Sequence, residues 1–296
     1  MKKLLLIDAS ALIHRAFHAL PPLIGPGGRP AGALYGLSTI LIKILQESDD
    51  YIAALFDRPE PTFRKEKFDD YKIHRPKAPD ELISQIKESR NLFSKFNIRT
   101  FEMPGFEADD LIGTLTKKFR QIPDLQIKIL TGDLDTLQLV EDDKVVVEFL
   151  KTGVSEIKTY NEEAVIERYG LLPKQLPDFK GLAGDHSDNI PGVAGIGPKT
   201  ATPLLVEYQT LENLFSRIEN DPLIVKTTAI KKILGSKEQA FLSRDLGRIH
   251  CDAPLEIKDI AEVAFNGFSR SELSEYFMGF GFASLVKRID GQNSLI

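Results

Sequence analysis

The sequence predicts an α/β protein with a mainly parallel central sheet flanked by helices, followed by a mostly helical C-terminal subdomain. Three observations carry that prediction. Residues 1–150 alternate strand-like and helix-like segments. After about residue 160 β-branched runs thin out and helical patterns separated by Pro and Gly take over. Several strand-like runs end on an aspartate, which puts carboxylates at the sheet edge where open α/β folds build their sites.

In chain order, KLLLID (3–8) is a short apolar run closed by Asp8, the pattern of a buried strand. A helical pattern covers about 32–47, and YIAALFD (51–57) repeats the strand pattern up to Asp57. A helix over about 80–96 and a strand at 98–102 follow. GFEADDLIGTLTKKF predicts a helix at 107–120, with Leu111, Ile112, Leu115 and Phe119 as its apolar stripe. QIKILTGD gives a strand at 126–131 that leads to Asp133, and another strand covers 144–150. EEAVIERYG, LENLFSRI and KEQAFLSRDLGRI read as helices of the second part. These elements divide the chain into an α/β core at 1–160, a helical subdomain at 161–290 and a linker-like tail at 291–296.

At 296 residues and 42% hydrophobic the chain can bury a full core. No apolar stretch approaches the roughly 20 residues of a membrane span, and the run after Lys3 is broken at Asp8, too early for a secretory signal. A cytoplasmic enzyme is expected. One cysteine, Cys251, excludes an internal disulfide and a cysteine-based zinc cluster. The net charge of −5 argues at first against nucleic acid, but setting nine clustered acids aside as metal-bound leaves +4 for the remaining surface.

Those nine are Asp8, Asp57, Glu107, Asp109, Asp110, Asp133, Asp135, Asp185 and Asp188. Gathered at one sheet edge they would repel strongly, so the sequence predicts a multi-metal site of oxygen ligands. Taken singly, each cluster has a plainer reading. Acids at 107–110 suit the dipole of a first helical turn, and Asp133 and Asp135 fit an aspartate turn or the D-x-D of a phosphatase. On a helical wheel Asp109 lies about 200° from Glu107, so the three acids of 107–110 do not all face one metal.

GDHSDNIPGVAGIGPKTA is the most specific stretch. Gly195 and Gly197 form a tight turn ahead of a helix, whose backbone N–H groups form an anion nest, with Lys199 and Thr200 beside it. A Walker loop is excluded by Pro198, which stands where the lysine must follow. Between strand 51–57 and helix 80–96 lie Arg58, Arg64, Lys65, Lys67, Lys72, Arg75 and Lys77 against four acids, with Phe63, Phe68 and Tyr71 interleaved. Cations and rings beside a metal centre suit a channel for single-stranded nucleic acid; a solvated loop is the plain alternative. His14 and His18 sit four apart on an apolar helix pattern and read as packing residues.

Together, LIDASALIHRAFHALPPL, FDRPEPTFRKEKFDDYKIHRPK, PGFEADDLIGTLTKK, TGDLDTLQLV and the glycine stretch resemble the flap endonuclease family, in particular the 5′-nuclease (5′-3′ exonuclease) domain of bacterial DNA polymerase I, over about residues 4–285. The resemblance implies a helical arch at about 58–95 and a helix–hairpin–helix at about 181–205. It implies two or more Mg²⁺ or Mn²⁺ ions, with Asp8, Asp57, Glu107 and Asp109 or Asp110 on one side and Asp133, Asp135, Asp185 and Asp188 on the other. It implies that Arg15, Lys72 and Arg75 meet the scissile phosphate, that Arg64 and Tyr71 contact DNA with Tyr71 as a stacking platform, and that the hairpin with Gly195, Gly197, Lys199 and Thr200 grips duplex, with K⁺ bound. The implied activity is 5′-3′ exonuclease and flap endonuclease cleavage of DNA with a 5′ flap, nick or 5′ end, with RNA–DNA hybrid as a further substrate and a linked DNA polymerase as partner. A non-catalytic branched-DNA-binding protein is the alternative. His14 stands where the family often has tyrosine, and Pro203 predicts a kink or a late start in the second hairpin helix.

Overall fold

The computed structural model describes residues 1–46, 49–152, 156–221 and 227–291. The expected tail beyond Gly291 lies outside the described residues. In chain order the elements are β1 (Lys2–Asp8), α1 (Ala9–Ala19), α2 (Gly32–Ile44), β2 (Tyr51–Phe56), α3 (Phe63–Lys67), α4 (Asp80–Lys95), β3 (Arg99–Glu102), α5 (Ala108–Phe119), β4 (Leu125–Thr131), β5 (Val145–Thr152) and β6 (Glu156–Tyr160). They continue with α6 (Glu162–Tyr169), α7 (Leu176–Ala183), α8 (Pro198–Tyr208), α9 (Leu211–Asn220), α10 (Thr228–Leu234), α11 (Lys237–Gly247), α12 (Arg270–Gly279) and α13 (Ala283–Asp290).

The sheet runs β3-β2-β1-β4-β5-β6. All neighbours are parallel except β5 and β6, which pair antiparallel. β1 is the switch point: the chain moves outward from it to β2 and β3 on one side and to β4 and β5 on the other, which opens a crevice at the carboxyl ends of β1 and β4. Because helices cover both faces, the central strands read as nearly unbroken apolar runs. One core packs α1, α2 and α4 on the sheet, and the other packs α5 and α6 on the opposite face. A third gathers α7 to α11 through residues such as Leu182, Leu205, Phe215 and Ile233.

Three features differ from the sequence expectation. β1 passes into α1 with no loop, since Asp8 both ends the strand and caps the helix by accepting from the Ala11 N–H. β6 adds an edge strand whose side chains are mostly exposed, so it carries little apolar signal. The helical body also ends earlier than expected: Ala253, Ile257 and Val263 join the α5 face, and Leu273, Phe277, Leu285 and Ile289 of α12 and α13 join the α2–α4 face.

Two segments implied by the resemblance are also redrawn. Only 58–79, with the short α3, bridges the crevice; α4 buries Leu82, Leu92 and Phe93 in the core and belongs to the scaffold. α8 starts at Pro198 and runs through Pro203 as a helix. Pro203 is exposed and one turn in, where it gives up the bond to the Lys199 carbonyl but displaces no packed neighbour.

Candidate metal and phosphate site

The crevice holds a cleft of about 540 Å³ lined by Asp8, Asp57, Glu107, Asp109 and Asp133, with His14, His18, Arg15, Lys72 and Arg75 around them. Asp8 is buried at the end of β1, its carboxylate accepting from the Ala11 N–H at 2.9 Å and the Thr131 hydroxyl at 2.7 Å. Asp57 follows β2; its N–H donates to the Ser10 hydroxyl and its Oδ1 accepts from the Ala108 N–H, both at 2.8 Å. Burial, then the charges of Asp57 and Asp133, push the Asp8 carboxyl up to about 7 against those hydrogen bonds. Burial and the charges of Asp8, Asp133, Asp135 and Asp57 likewise hold Asp109 well above the usual carboxylate range.

Beside it a second cleft of about 520 Å³ holds Asp135 and Asp185 and shares Asp133 and Arg75 with the first. Lys180 of α7 stands between the two carboxylates, its Nζ 2.5 Å from Asp135 and 2.7 Å from Asp185. Burial raises Asp135 to about 6 even with Lys180 beside it. At Asp185 burial is outweighed by Lys180 and by the Ser187 side chain and N–H, so its carboxyl lies below the ordinary range.

The bridging segment docks its cations on these acids. Lys72 places Nζ 2.8 Å from Glu107, and Arg75 donates to Asp188 at 2.6 Å. The Lys72 N–H also donates to the Asp188 carbonyl, and the Asn189 amide to that of Asp70. Lys72 is held at φ 55°, a left-handed conformation unusual for a side chain of its size. Burial opposes the Lys72 charge, but Glu107 and Asp188 outweigh it and raise its pKa.

Glu107 is the N-cap of α5 and has extended backbone, so the wheel argument does not apply to it, and both Glu107 and Asp109 reach the cleft. Asp110 does not. Fully buried, it accepts from the Glu107 N–H and from both Nη atoms of Arg64 at 2.7 Å, so it is a helix-cap and ion-pair residue rather than a metal ligand.

The same geometry corrects two DNA-contact expectations. Arg64 is 3% exposed and its guanidinium is shared among Asp110 and the carbonyls of Leu246 and Arg248. Tyr71 is also buried, its hydroxyl 3.2 Å from both the Glu107 and the Asp188 carboxylates, to either of which its one proton can be donated. Neither offers a surface to a base or a phosphate. Arg15 lines the cleft with its guanidinium over the Phe149 ring. His14 and His18, read as packing residues in the sequence, line the cleft too, and burial lowers the His14 pKa.

On the helical body α7 and α8 flank the hairpin at 184–197. Gly195 has φ 77°, Ile196 is buried as the anchor of the turn, and Gly197 caps α8, its carbonyl accepting from the Thr200 and Ala201 N–H groups. Lys199 is exposed beside that helix N-terminus and Thr200 half-buried.

A family model described as the 5'-3' exonuclease, N-terminal resolvase-like domain, matches residues 3–170, and one described as the 5'-3' exonuclease, C-terminal SAM fold, matches residues 171–271. The chain belongs to the 5'-3' exonuclease family. DNA polymerase I of Bacillus caldotenax is 40% identical over 295 residues, 99% of this chain and 33% of that protein. The enzyme of the same name from Caldicellulosiruptor bescii is 39% identical over 290 residues, 97% of this chain and 33% of that protein. The chain thus spans about a third of the length of the curated relatives it matches. Among solved structures, T5 5'-exonuclease with zinc ions bound superposes with a TM-score of 0.70 at 23% identity, covering 84% of this chain and 90% of that one. The catalytic core of Rad2 in complex with DNA substrate gives 0.60 at 17%, covering 94% and 88%. These likenesses establish the exonuclease-family fold, with the SAM-fold match falling on the helical body.

The exonuclease-family acids fit divalent metal by their donor chemistry: clustered hard carboxylate oxygens, with Asp8 and Asp109 pushed up by burial and neighbouring acids, suit a hard divalent cation. Among the described residues no three His, Cys, Asp or Glu side chains already stand as a ligand set. In the second cleft Lys180 stands between two of the acids. Lys180 is the charged residue of this cleft that sequence reasoning missed. A lone lysine five residues ahead of Asp185 carries no spacing signal, and only the folding of α7 against the segment after β4 brings it to Asp135.

Proposed function

We propose that this chain is a metal-dependent 5'-3' exonuclease and flap endonuclease that hydrolyses DNA phosphodiesters to leave 5′-phosphates. The observation that carries the reading is the convergence of Asp8, Asp57, Glu107, Asp109 and Asp133 at the switch point of the sheet, under a bridge that brings Lys72 and Arg75 to the same cleft. Asp8, Asp57, Glu107 and Asp109 would hold one divalent ion, and Asp135, Asp185 and Asp188 a second, with Asp133 between them. When bound, such ions supply an activated water at neutral pH and Lewis-acid stabilisation of the departing oxygen.

Lys72 and Arg75, now paired with Glu107 and Asp188, would turn to the phosphate once those carboxylates are neutralised, and would stabilise the charge that grows on it as the bond breaks. Arg15 would clamp a non-bridging oxygen from the opposite wall. Lys199, Thr200 and the N–H groups of the hairpin would hold duplex backbone with no preference for sequence. A K⁺ ion on the hairpin carbonyls belongs to the same reading. The metal-bound and DNA-bound fold neighbours and the names of the relatives support it.

The relatives' name and their threefold greater length support a polymerase in the same polypeptide, and with it a cytoplasmic, nucleoid-associated role in primer removal and repair that includes RNA–DNA hybrids. A 5′-labelled flap duplex with and without Mg²⁺ tests the activity. Metal-dependent cutting near the junction by the wild type, lost in Asp135→Ala, is expected. Tight binding without cutting under either Mg²⁺ or Mn²⁺ would favour the non-catalytic branched-DNA binder instead.

A further inference from the structure

We propose that Lys180 is the built-in counter-ion of the second carboxylate group, and that a divalent ion enters between Asp135 and Asp185 only by displacing its ammonium. The two carboxylate groups then bind metal with unequal affinity, and Lys180 sets the weaker one. The inference rests on the nuclease reading above and adds to it the control of one metal position by a residue of this chain.

The geometry is specific. Lys180 Nζ contacts Asp135 Oδ1 at 2.5 Å and Asp185 Oδ2 at 2.7 Å. A divalent ion needs carboxylate oxygens at about 2.1 Å for Mg²⁺, so it competes for oxygens the ammonium already holds. The competition is between like charges at contact distance, in a site where the Lys180 side chain is 13% exposed and water screens little. In the first group Asp8 and Asp57 are held by neutral donors, the N–H groups of Ala11 and Ala108 and the Thr131 hydroxyl; the cations at Glu107 and Asp188, Lys72 and Arg75, come from the bridging segment, whereas Lys180 comes from the helical body and spans two carboxylates of the second group.

The lysine stem also lies against a neighbouring helix. α11 lies so close to α7 at Gly247 that a Cβ there would stand 2.7 Å from Lys180 Cδ and 3.1 Å from its Cβ. The stem thus runs closely along the bare backbone of Gly247, where a larger residue would collide with it. Asp185 is tied to the same helix end. Gly184, at φ 73°, bonds its N–H to the Lys180 carbonyl and starts the turn in which the Asp185 carboxylate holds Ser187. Lysine and acid thus belong to one rigid unit, which presents the ammonium to Asp135 across the cleft.

The experiment is Mn²⁺ binding to the DNA-free protein, followed by electron paramagnetic resonance and calorimetry, so that no turnover is needed. The wild type should show a tight and a weak class. Lys180→Met, which keeps the stem on Gly247, should tighten the weak class by about 10–100-fold and leave the tight class nearly unchanged, whereas Lys180→Arg should keep the wild-type pattern. Lys180→Gln serves as a second neutral variant. In the wild type the Cε resonance of Lys180 should move when Mg²⁺ is added. That spectrum decides the matter alone if the neutral variants do not fold. Unchanged isotherms in folded Lys180→Met and Lys180→Gln, an equal gain in both classes, or a Lys180 resonance indifferent to saturating Mg²⁺ would each overturn the proposal. Absence of any Mn²⁺ binding to the wild type would overturn the metal-dependent reading itself, a result distinct from binding that ignores Lys180.

Discussion

At the residue scale the acids divide by what meets them. Asp110 is satisfied by Arg64 and by backbone N–H groups, and Asp185 by Lys180 and Ser187, while Asp8 meets neutral donors, the Ala11 N–H and the Thr131 hydroxyl, against the charges of Asp57 and Asp133. Asp8 gives a signed prediction. Its carboxyl titrates at about 7 in the fold and near 4 in an unfolded chain, so across that window the native state holds a proton that the unfolded state has released. Asp8 therefore contributes a loss of stability as pH rises from about 4 to about 7, with no further change above it. Thermal melting without divalent ions should show the wild type losing stability relative to Asp8→Asn across that window. A difference that stays constant with pH would rule out the raised proton affinity.

The run of acids at 107–110 was legible in the sequence as dipole-complementing or metal-binding. Only the chain's turn at Glu107 assigns Asp110 to the first role and Glu107 and Asp109 to the cleft. Arg64 and Tyr71 follow the same rule. Their residue types suit nucleic acid, but a buried carboxylate beside each, Asp110 and Asp188, claims its polar atoms first.

At the element scale the hairpin is where sequence pattern and structure agree most closely, because Gly192 and Gly195 hold the left-handed backbone its turn requires. Gly192, at φ 61°, lies so near Gly184 that a Cβ would be 2.3 Å from the Gly184 nitrogen. Pro203 is the exception, a residue that α8 accommodates but does not need. Pro203→Ala restores a donor for the Lys199 carbonyl and should raise stability by about 1 kcal/mol or more, measured by urea unfolding, since proline in a helix interior costs more than any other residue. A loss of stability would mean that the ring packs usefully where the helix looks open. The bridge at 58–79 is the opposite case. Its charges and rings read as a DNA channel, yet what holds it down are ion pairs to the acids across the crevice.

At the scale of the whole molecule, Asp8, Asp57, Glu107, Asp109 and Asp133 lie at the sheet edge, whereas Lys199 lies on the helical body at the far end of the 184–197 hairpin from Asp185 and Asp188, so on the proposed reading chemistry and affinity should separate. Lys199→Ala should weaken binding to every duplex sequence and flatten the salt dependence by about one unit of slope, with little change in cleavage of bound substrate. Fluorescence anisotropy across a salt series reads it; a slope equal to that of the wild type would take Lys199 out of the contact set.

The sequence alone determined the α/β class, the strands that lead to Asp8, Asp57 and Asp133, the glycine hairpin and the acidic, oxygen-rich character of the site. Each of these is written in local periodicity, strand-end position or a glycine-dependent turn. Tertiary structure alone decided that α12 and α13 return to the first core, that Asp110 turns inward to Arg64, that His14 and His18 face the cleft and that Lys180 stands between Asp135 and Asp185. Those outcomes depend on which distant groups arrive beside a side chain. Coulomb attraction and the cost of burying an unpaired charge act through space, where sequence spacing leaves no trace.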